Sequence, residues 1–292
     1  MDNADNDVWI DLQETDEGVE VQRKLCSIVN LLSQSEETAM KLIEGHVCFG
    51  IVSLLDRASI RGKHYILMAI YNILKQDAAQ NAASYFRLTQ AVARLRDVLV
   101  TQTVEGLHST LDLKYQRIVC SILNDLVTGD LHSKIIFNQK VTTSGGESVR
   151  GTEHLVKLIL DSVSDVGDVG SSQYRRNIAF LKSALRLLVS LSASTKYIKT
   201  DILKSNGLLA CYEVIRKLEG QDDHNKMITM ALYVIRNVSD QGEYNPFYYT
   251  VSNTFLVDEL TTDILHDYPS AKEIVEYCLN DCLRNGSTDI HI

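Results

Sequence analysis

The chain has 292 residues, 45% hydrophobic and 23% charged, enough apolar material for a large core or a continuous stacked one. Its net charge is −9, but residues 1–20 hold eight acids and no base, which leaves about −1 for residues 21–292. A near-neutral body lacks the clustered Lys and Arg that sequence-independent phosphate binding needs, so no direct nucleic-acid contact is expected.

No run of 18 apolar residues occurs, which predicts no membrane span. The acidic N-terminus has no apolar leader segment, so it does not read as a secretory signal. Only two prolines, Pro246 and Pro269, are present, a scarcity that suits long helices. Six cysteines lie mostly in apolar helical stretches, at Cys26, Cys48, Cys120, Cys211, Cys278 and Cys282. They read as reduced core thiols, and the expected location is the cytoplasm, with the nucleus as the alternative.

Residues 1–17 form an acidic arm with one apolar knot, Val8-Trp9-Ile10-Asp11-Leu12, expected to be mobile. From about residue 18 a helical period places Val21, Leu25, Ile28, Leu31 and Leu32 on one face. Ser35, with Glu36 and Glu37 in the following turn, predicts the cap of a short second helix, which Gly45 is expected to end. A third helix carries Val47, Ile51, Val52, Leu54 and Leu55. A longer fourth runs from about Ser59 to Gln76, with Tyr65, Ile66, Met68, Ala69, Ile70 and Ile73.

The order short, medium, long then recurs, and the ends of five long helices align. The aligned polar residues are Asn30, Asn72, Asp125, Ser190 and Asn237, spaced by 42, 53, 65 and 47. Residues 140–151 and 163–172, rich in Gly and Ser, read as polar loops inserted into one repeat. No strand is expected. After Asn237 comes an aromatic turn, Tyr244 to Tyr249, and then two further helices near 251–266 and 269–284.

A small residue, an apolar residue and then Asn between apolar neighbours, near the end of a long third helix, resembles the armadillo repeat. Leu31–Asn72 carries the likeness best, and Leu191–Asn237 repeats it. The resemblance implies an all-α fold, a right-handed α-α superhelix of about four to five irregular repeats over residues 18–292. Residues of about 241–285 would cap its C-terminal end. It further implies a concave groove lined by the third helices, where the aligned Asn holds an extended peptide.

Carried over by position, the ladder is Asn30, Asn72 and Asn237, with Asp125 and Ser190 at the two remaining steps. One turn earlier, where the family often places Trp, stand Cys26, Met68, Ser121, Arg186 and Tyr233. A turn before those stand Arg23, Tyr65, Arg117, Lys182 and Met230. The missing Trp slots and the broken ladder argue against carriage of nuclear import cargo. The middle of the groove is expected to be mildly basic through Arg117, Lys182 and Arg186.

No reaction chemistry is expected. Cys278 and Cys282 face one another at helical spacing but lack the further ligands of a structural zinc site. His46 and Cys48 straddle a turn without an orienting carboxylate. Neither a phosphate loop nor a dinucleotide fingerprint follows a strand. The reading is therefore a non-enzymatic scaffold or adaptor without metal or cofactor, binding a protein partner of unknown identity in its groove. The resemblance leaves two alternatives: a nucleotide exchange factor for an Hsp70-type chaperone, or a subunit of a cytoskeletal or ciliary assembly using Tyr244–Tyr249. Trp9, the one Trp in the chain, is an anchor. It would fold back on the basic mid-groove, engage a partner, or extend the first helix over the N-terminal edge.

Overall fold

The computed structural model describes residues 16–239 apart from 56–57, 59, 77–78, 102–109, 144–145, 168 and 219–223. The expectations placed on Trp9, Tyr244–Tyr249, Cys278, Cys282 and the C-terminal cap lie outside the described residues.

The fold is all-α. Helix α1 (Asp16–Leu32) is followed by α2 (Glu36–Glu44), α3 (Val47–Leu54) and α4 (Ile60–Lys75), then by α5 (Ala79–Leu88), α6 (Ala91–Thr101) and α7 (Thr110–Val127). Next come α8 (Leu131–Phe137), strands β1 (Lys140–Thr142) and β2 (Ser148–Arg150), α9 (Gly151–Ser164) and α10 (Ser172–Ser192). The last described triplet is α11 (Lys196–Lys204), α12 (Gly207–Leu218) and α13 (Asn225–Ser239). The chain divides into two compact units, Met1–Glu147 and Ser148–Ile292.

Helix starts follow local chemistry. Ser35 Oγ accepts from Thr38 N at 3.3 Å before α2, Asp130 Oδ2 from Ser133 N at 2.8 Å before α8, and Ser171 Oγ from Tyr174 N at 3.0 Å before α10. Each satisfies one amide that a helix N-terminus leaves without a partner.

In the first unit α1 packs on α4 and α4 on α7, while α3 backs α4 and α6 backs α7. In the second, α10 packs on α13, α9 backs α10, and α12 backs α13. The long helices α4, α7, α10 and α13 each have an apolar face buried by their own second helix, and within a unit long helices meet edge to edge, α1 with α4, α4 with α7 and α10 with α13. Leu67, Ile70 and Ile73 of α4, Cys120, Leu123 and Leu126 of α7, and Leu185, Leu188 and Leu191 of α10 are completely buried in this way. Cys26, Cys48, Cys120 and Cys211 are buried and not in disulfides. Burial pushes the Cys48 thiol up to about 11 and raises Cys120 as well.

Several expectations are corrected. Gly45 does end α2, but with φ −77°. The left-handed residue is the next one, His46 at φ 56°. Gln90 at φ 60° and Asn206 at φ 63° hold the same place between α5 and α6 and between α11 and α12. A single left-handed residue thus turns the first helix of a triplet into its second. Between α8 and α9 that junction holds the strands and the Thr143–Glu147 turn instead, closed by Thr143 N donating to Glu147 O at 2.7 Å. The expected loop at 140–151 is therefore partly extended strand, and Gly151 already opens α9. Three-residue strands are too short to show a period of two. The second expected loop is also shorter than 163–172, because Val163 and Ser164 still belong to α9 and Ser172 opens α10. Asn177 Nδ2 and Gln173 Nε2 both donate to Asp165 O and fasten it.

The apolar face of α1, Val21, Leu25, Ile28, Leu31 and Leu32, is exposed, while Gln22 and Cys26 of α1 and Ser33 just after it are buried. Among the described residues, no second helix backs α1.

Gly207 opens α12 where a Cβ would lie 2.7 Å from Ile202 O and 2.4 Å from Ile202 Cγ2. A backbone oxygen cannot step aside as a side chain can. Gly207→Ala is expected to destabilise the protein by about 1–3 kcal/mol, the usual cost of overpacking, read as a lower urea midpoint. Gly50→Ala, with open space around the added carbon, should leave the midpoint unchanged or raise it.

Candidate partner-binding face

The aligned polar positions share one environment. In α4, α7 and α10 each is the second of two half-buried residues with two buried residues on either side: Tyr71-Asn72, Asn124-Asp125 and Val189-Ser190. Asn30 and Asn237 are half-buried too. The periodicity that aligned them in the sequence therefore reports a real structural register.

Their partners lie within the protein. Asn72 Nδ2 donates to Asn30 Oδ1 at 3.3 Å and to Ser33 Oγ at 3.1 Å. Ser33 is buried, and its hydroxyl donates to Asn30 O at 2.7 Å. Both amide protons of Asn72 thus tie α4 to the end of α1. In the second unit Asn237 Nδ2 donates to Ser192 Oγ at 3.0 Å, and the buried Ser192 hydroxyl donates to Val189 O at 2.8 Å. At the step where Asp replaces Asn, Lys75 Nζ meets Asp125 Oδ2 at 2.8 Å and joins α4 to α7. Lys75 also sits over the Tyr71 ring at 5.5 Å.

Asn30, Asn72, Asp125 and Asn237 are inter-helix clasps. Asn72 has no amide proton left for an extended peptide in this arrangement. Asp125 fits its step because its neighbour on the preceding third helix is a cation. Ser33, Ser192 and Lys75 complete the clasps and were not singled out from sequence. A hydroxyl or cation at the very end of the preceding third helix is the signal that could have found them.

The residues one and two turns earlier divide. Cys26, on the α1 edge that faces α4, is buried and lies outside any open groove. Met68, Ser121 and Tyr233 are half-buried, and Ser121 Oγ is committed to Arg117 O at 2.9 Å. Arg117 in the first unit and Lys182 and Arg186 in the second are exposed. Most other Arg side chains are engaged. Arg87 donates to Leu126 O and Thr128 O at the end of α7, Arg96 to Ile136 O at the end of α8, and Arg150 lies 3.6 Å from Asp201. Among the described residues, no carboxylate lies within 4.0 Å of Arg117, Lys182 or Arg186.

One titratable group sits at the α4–α7 contact. The His64 ring lies 5.3 Å from the Tyr115 ring, and its Nδ1 is buried without a hydrogen-bond partner. Burial, with a smaller contribution from Lys114, lowers its pKa below the ordinary 6.5. Among the described residues no group of three or more His, Cys, Asp or Glu side chains could hold a metal ion. No helix among them is long and apolar enough to cross a membrane.

Comparison with known proteins identifies the fold. The chain is similar to the designed armadillo repeat protein YIII(Dq)4CqI, with 14% identity, TM-score 0.52, and coverage of 93% of this chain and 97% of that one. A second designed armadillo repeat protein, YIII(Dq.V1)4CPAF in complex with the peptide (KR)4, matches at 14% identity and TM-score 0.52, covering 94% and 98%. An engineered protein from a structural genomics consortium matches at 13% identity and TM-score 0.52, covering 94% and 97%. No family model and no curated protein matches the sequence. The architecture is that of an armadillo-like repeat solenoid.

Asn72→Ala removes both clasp bonds and leaves Asn30 Oδ1 and Ser33 Oγ without the donor they accept from. It should lower stability by about 1–3 kcal/mol in urea unfolding, whereas the exposed Lys182→Ala should stay within about 0.5 kcal/mol of the parent. His64 is expected to make stability pH-dependent. The unfolded chain takes up a proton near pH 6.5 that the folded chain refuses, so stability is full above that pH and declines as pH falls through it. Thermal scans from pH 8 to pH 5 should show this slope in the parent and a shallower one in His64→Gln.

Proposed function

We propose that the protein is a non-enzymatic scaffold that binds a protein partner through the third-helix faces of its repeats. The reading rests on one observation: Arg117, Lys182 and Arg186 are exposed at aligned positions while the polar ladder beside them is consumed internally. An armadillo-like stack commits its apolar side chains to its own core, so its binding energy comes from what the third helices present.

The partner recognised by Lys182 and Arg186, one turn apart on α10, is an acidic protein segment. Exposed guanidinium and ammonium groups accept carboxylates readily and steer their approach. One structural neighbour was solved with (KR)4, a basic peptide. The charge on this chain's face has the opposite preference. Recognition then works through side-chain charge, because the Asn72 and Asn237 amides already serve as clasps. The thiols Cys26, Cys48 and Cys120 are buried with raised pKa, which suits a binding role over a catalytic one.

Affinity purification with mass spectrometry tests the reading on the full chain. Lys182→Glu/Arg186→Glu should lose a partner that the parent recovers, and raising salt should weaken the parent's capture in the same way. Identical partners from the parent, this variant and Arg117→Glu would remove the third-helix face from the function.

A further inference from the structure

Two cations of this chain lie over aromatic rings, and a carboxylate stands beside each of them. Lys75 Nζ sits 5.5 Å from the centre of the Tyr71 ring and 2.8 Å from Asp125 Oδ2. The Arg150 guanidinium sits 5.1 Å from the centre of the exposed Tyr197 ring, and its Nε lies 3.6 Å from Asp201 Oδ2. The ring face attracts the cation, and the carboxylate fixes its position.

A third aromatic site has the rings and an acid without the cation. His46, Phe49 and Tyr85 lie 6.2–6.4 Å apart, centre to centre, with planes inclined by 65–71°. Edge-to-face packing of this kind holds the three rings against one another. His46 and Phe49 are exposed, Phe49 to 45%, and Tyr85 is half-buried. Glu44, two residues before His46, is exposed as well. Among the described residues, no Lys or Arg lies over any of these rings, and none lies within 4.0 Å of the Glu44 carboxylate. Lys41, the one base of α2, is paired with Glu37 at 2.7 Å.

Packing does not call for rings here. His46 takes the left-handed turn position that Gln90 and Asn206 hold in other triplets. Phe49, three residues on, corresponds to Ala93 and Leu209. The register is the same, because Cys48, Val92 and Leu208 at the step between are all buried. Of these three junctions, the first alone carries a ring at both places. Charge favours a basic ligand. Helix α2 carries Glu36, Glu37 and Glu44 against Lys41, and α3 carries no charged residue.

We propose that His46, Phe49 and Tyr85 bind an arginine side chain from a basic segment of a partner protein, with Glu44 as its carboxylate. Arginine suits the site better than lysine, because a flat guanidinium stacks on a ring while its N–H groups reach a carboxylate. The site lies on α3, α5 and the turn before α3, and no third helix contributes to it. It is independent of the acidic partner proposed for Lys182 and Arg186.

A fluorescein-labelled peptide of four Arg-Gly repeats, added to the full chain at low salt and followed by anisotropy, tests the site. A matching peptide with citrulline for every Arg keeps the shape and drops the charge. The parent should bind the Arg peptide at least about tenfold more tightly than the citrulline peptide. His46→Asn/Phe49→Leu installs the residues found at the equivalent places, Asn206 and Leu209, and should keep the parent's urea midpoint. It should raise the Kd of the Arg peptide at least about fivefold. Phe49→Leu alone should raise it about twofold, and serves should the double variant fail to fold. The Arg Cδ protons of the bound peptide should shift upfield with the parent, through the ring currents, and not with the double variant. Lys182→Glu/Arg186→Glu should not weaken binding. The eight acids of residues 1–20 offer a competing attraction for any cation, so a Kd unchanged in the ring variants overturns the proposal. Failure of the parent to bind overturns it, and so does equal binding of the two peptides. Loss of binding in Lys182→Glu/Arg186→Glu would move the peptide to the third-helix face and also refute it. None of these outcomes bears on the proposed scaffold role, which the partner-capture experiment judges separately.

Discussion

The structure depends on how one long helix meets the next. The helices α4, α7, α10 and α13 have their apolar faces covered by the helix before them, and within each unit the α1–α4, α4–α7 and α10–α13 edges meet. Such an edge is half-buried, and a polar group there is costly without a partner. The chain meets the requirement three times by different chemistry. Asn72 donates to Asn30 and Ser33, Lys75 pairs with Asp125, and Asn237 donates to Ser192. A ladder that looks like a ligand-binding device is in this protein the joint between repeats. One and two turns away along the same helices, Arg117, Lys182 and Arg186 stand exposed.

The repeats are held to one plan by backbone geometry at their first junction. His46, Gln90 and Asn206 all adopt the left-handed conformation there, which non-glycine residues visit as single turn positions. Where the strands and the Thr143–Glu147 turn stand between α8 and α9, the turn is made by ladder bonds and Gly146 at φ 81° instead. This substitution accounts for much of the long interval between Asp125 and Ser190. It also brings Arg150 to the start of α9, where Glu153 accepts from its amide at 3.2 Å and its guanidinium stacks 5.1 Å from the Tyr197 ring. An insertion at a junction is tolerated because the helix faces on either side keep their register.

The ends of such a stack pose a separate problem. Among the described residues, α4, α7, α10 and α13 are each backed by a second helix, while α1 has none before it. The face of α1 records that deficit in unusually direct form, since its sequence is as apolar as that of its buried counterparts.

The amino-acid sequence by itself determined the helices, their order and the register of the five long ones. Those properties follow from local periodicity and caps such as Ser35, which the folded chain uses as written. It also determined which positions would be polar at the aligned step, because that choice is visible residue by residue. Only the tertiary structure decided what those residues do. Whether Asn72 faces a ligand or Ser33 depends on the approach of two helices separated by a whole triplet, and no window of sequence contains that distance. The same reason explains Cys26 and the α1 face. A helical period shows that one face is apolar, but burial is a property of the neighbour, and among the described residues α1 lacks the backing helix that α4, α7 and α10 have. The short strands escaped for the opposite reason: three residues carry too little pattern for a period, and bonds to another segment are what make them strands.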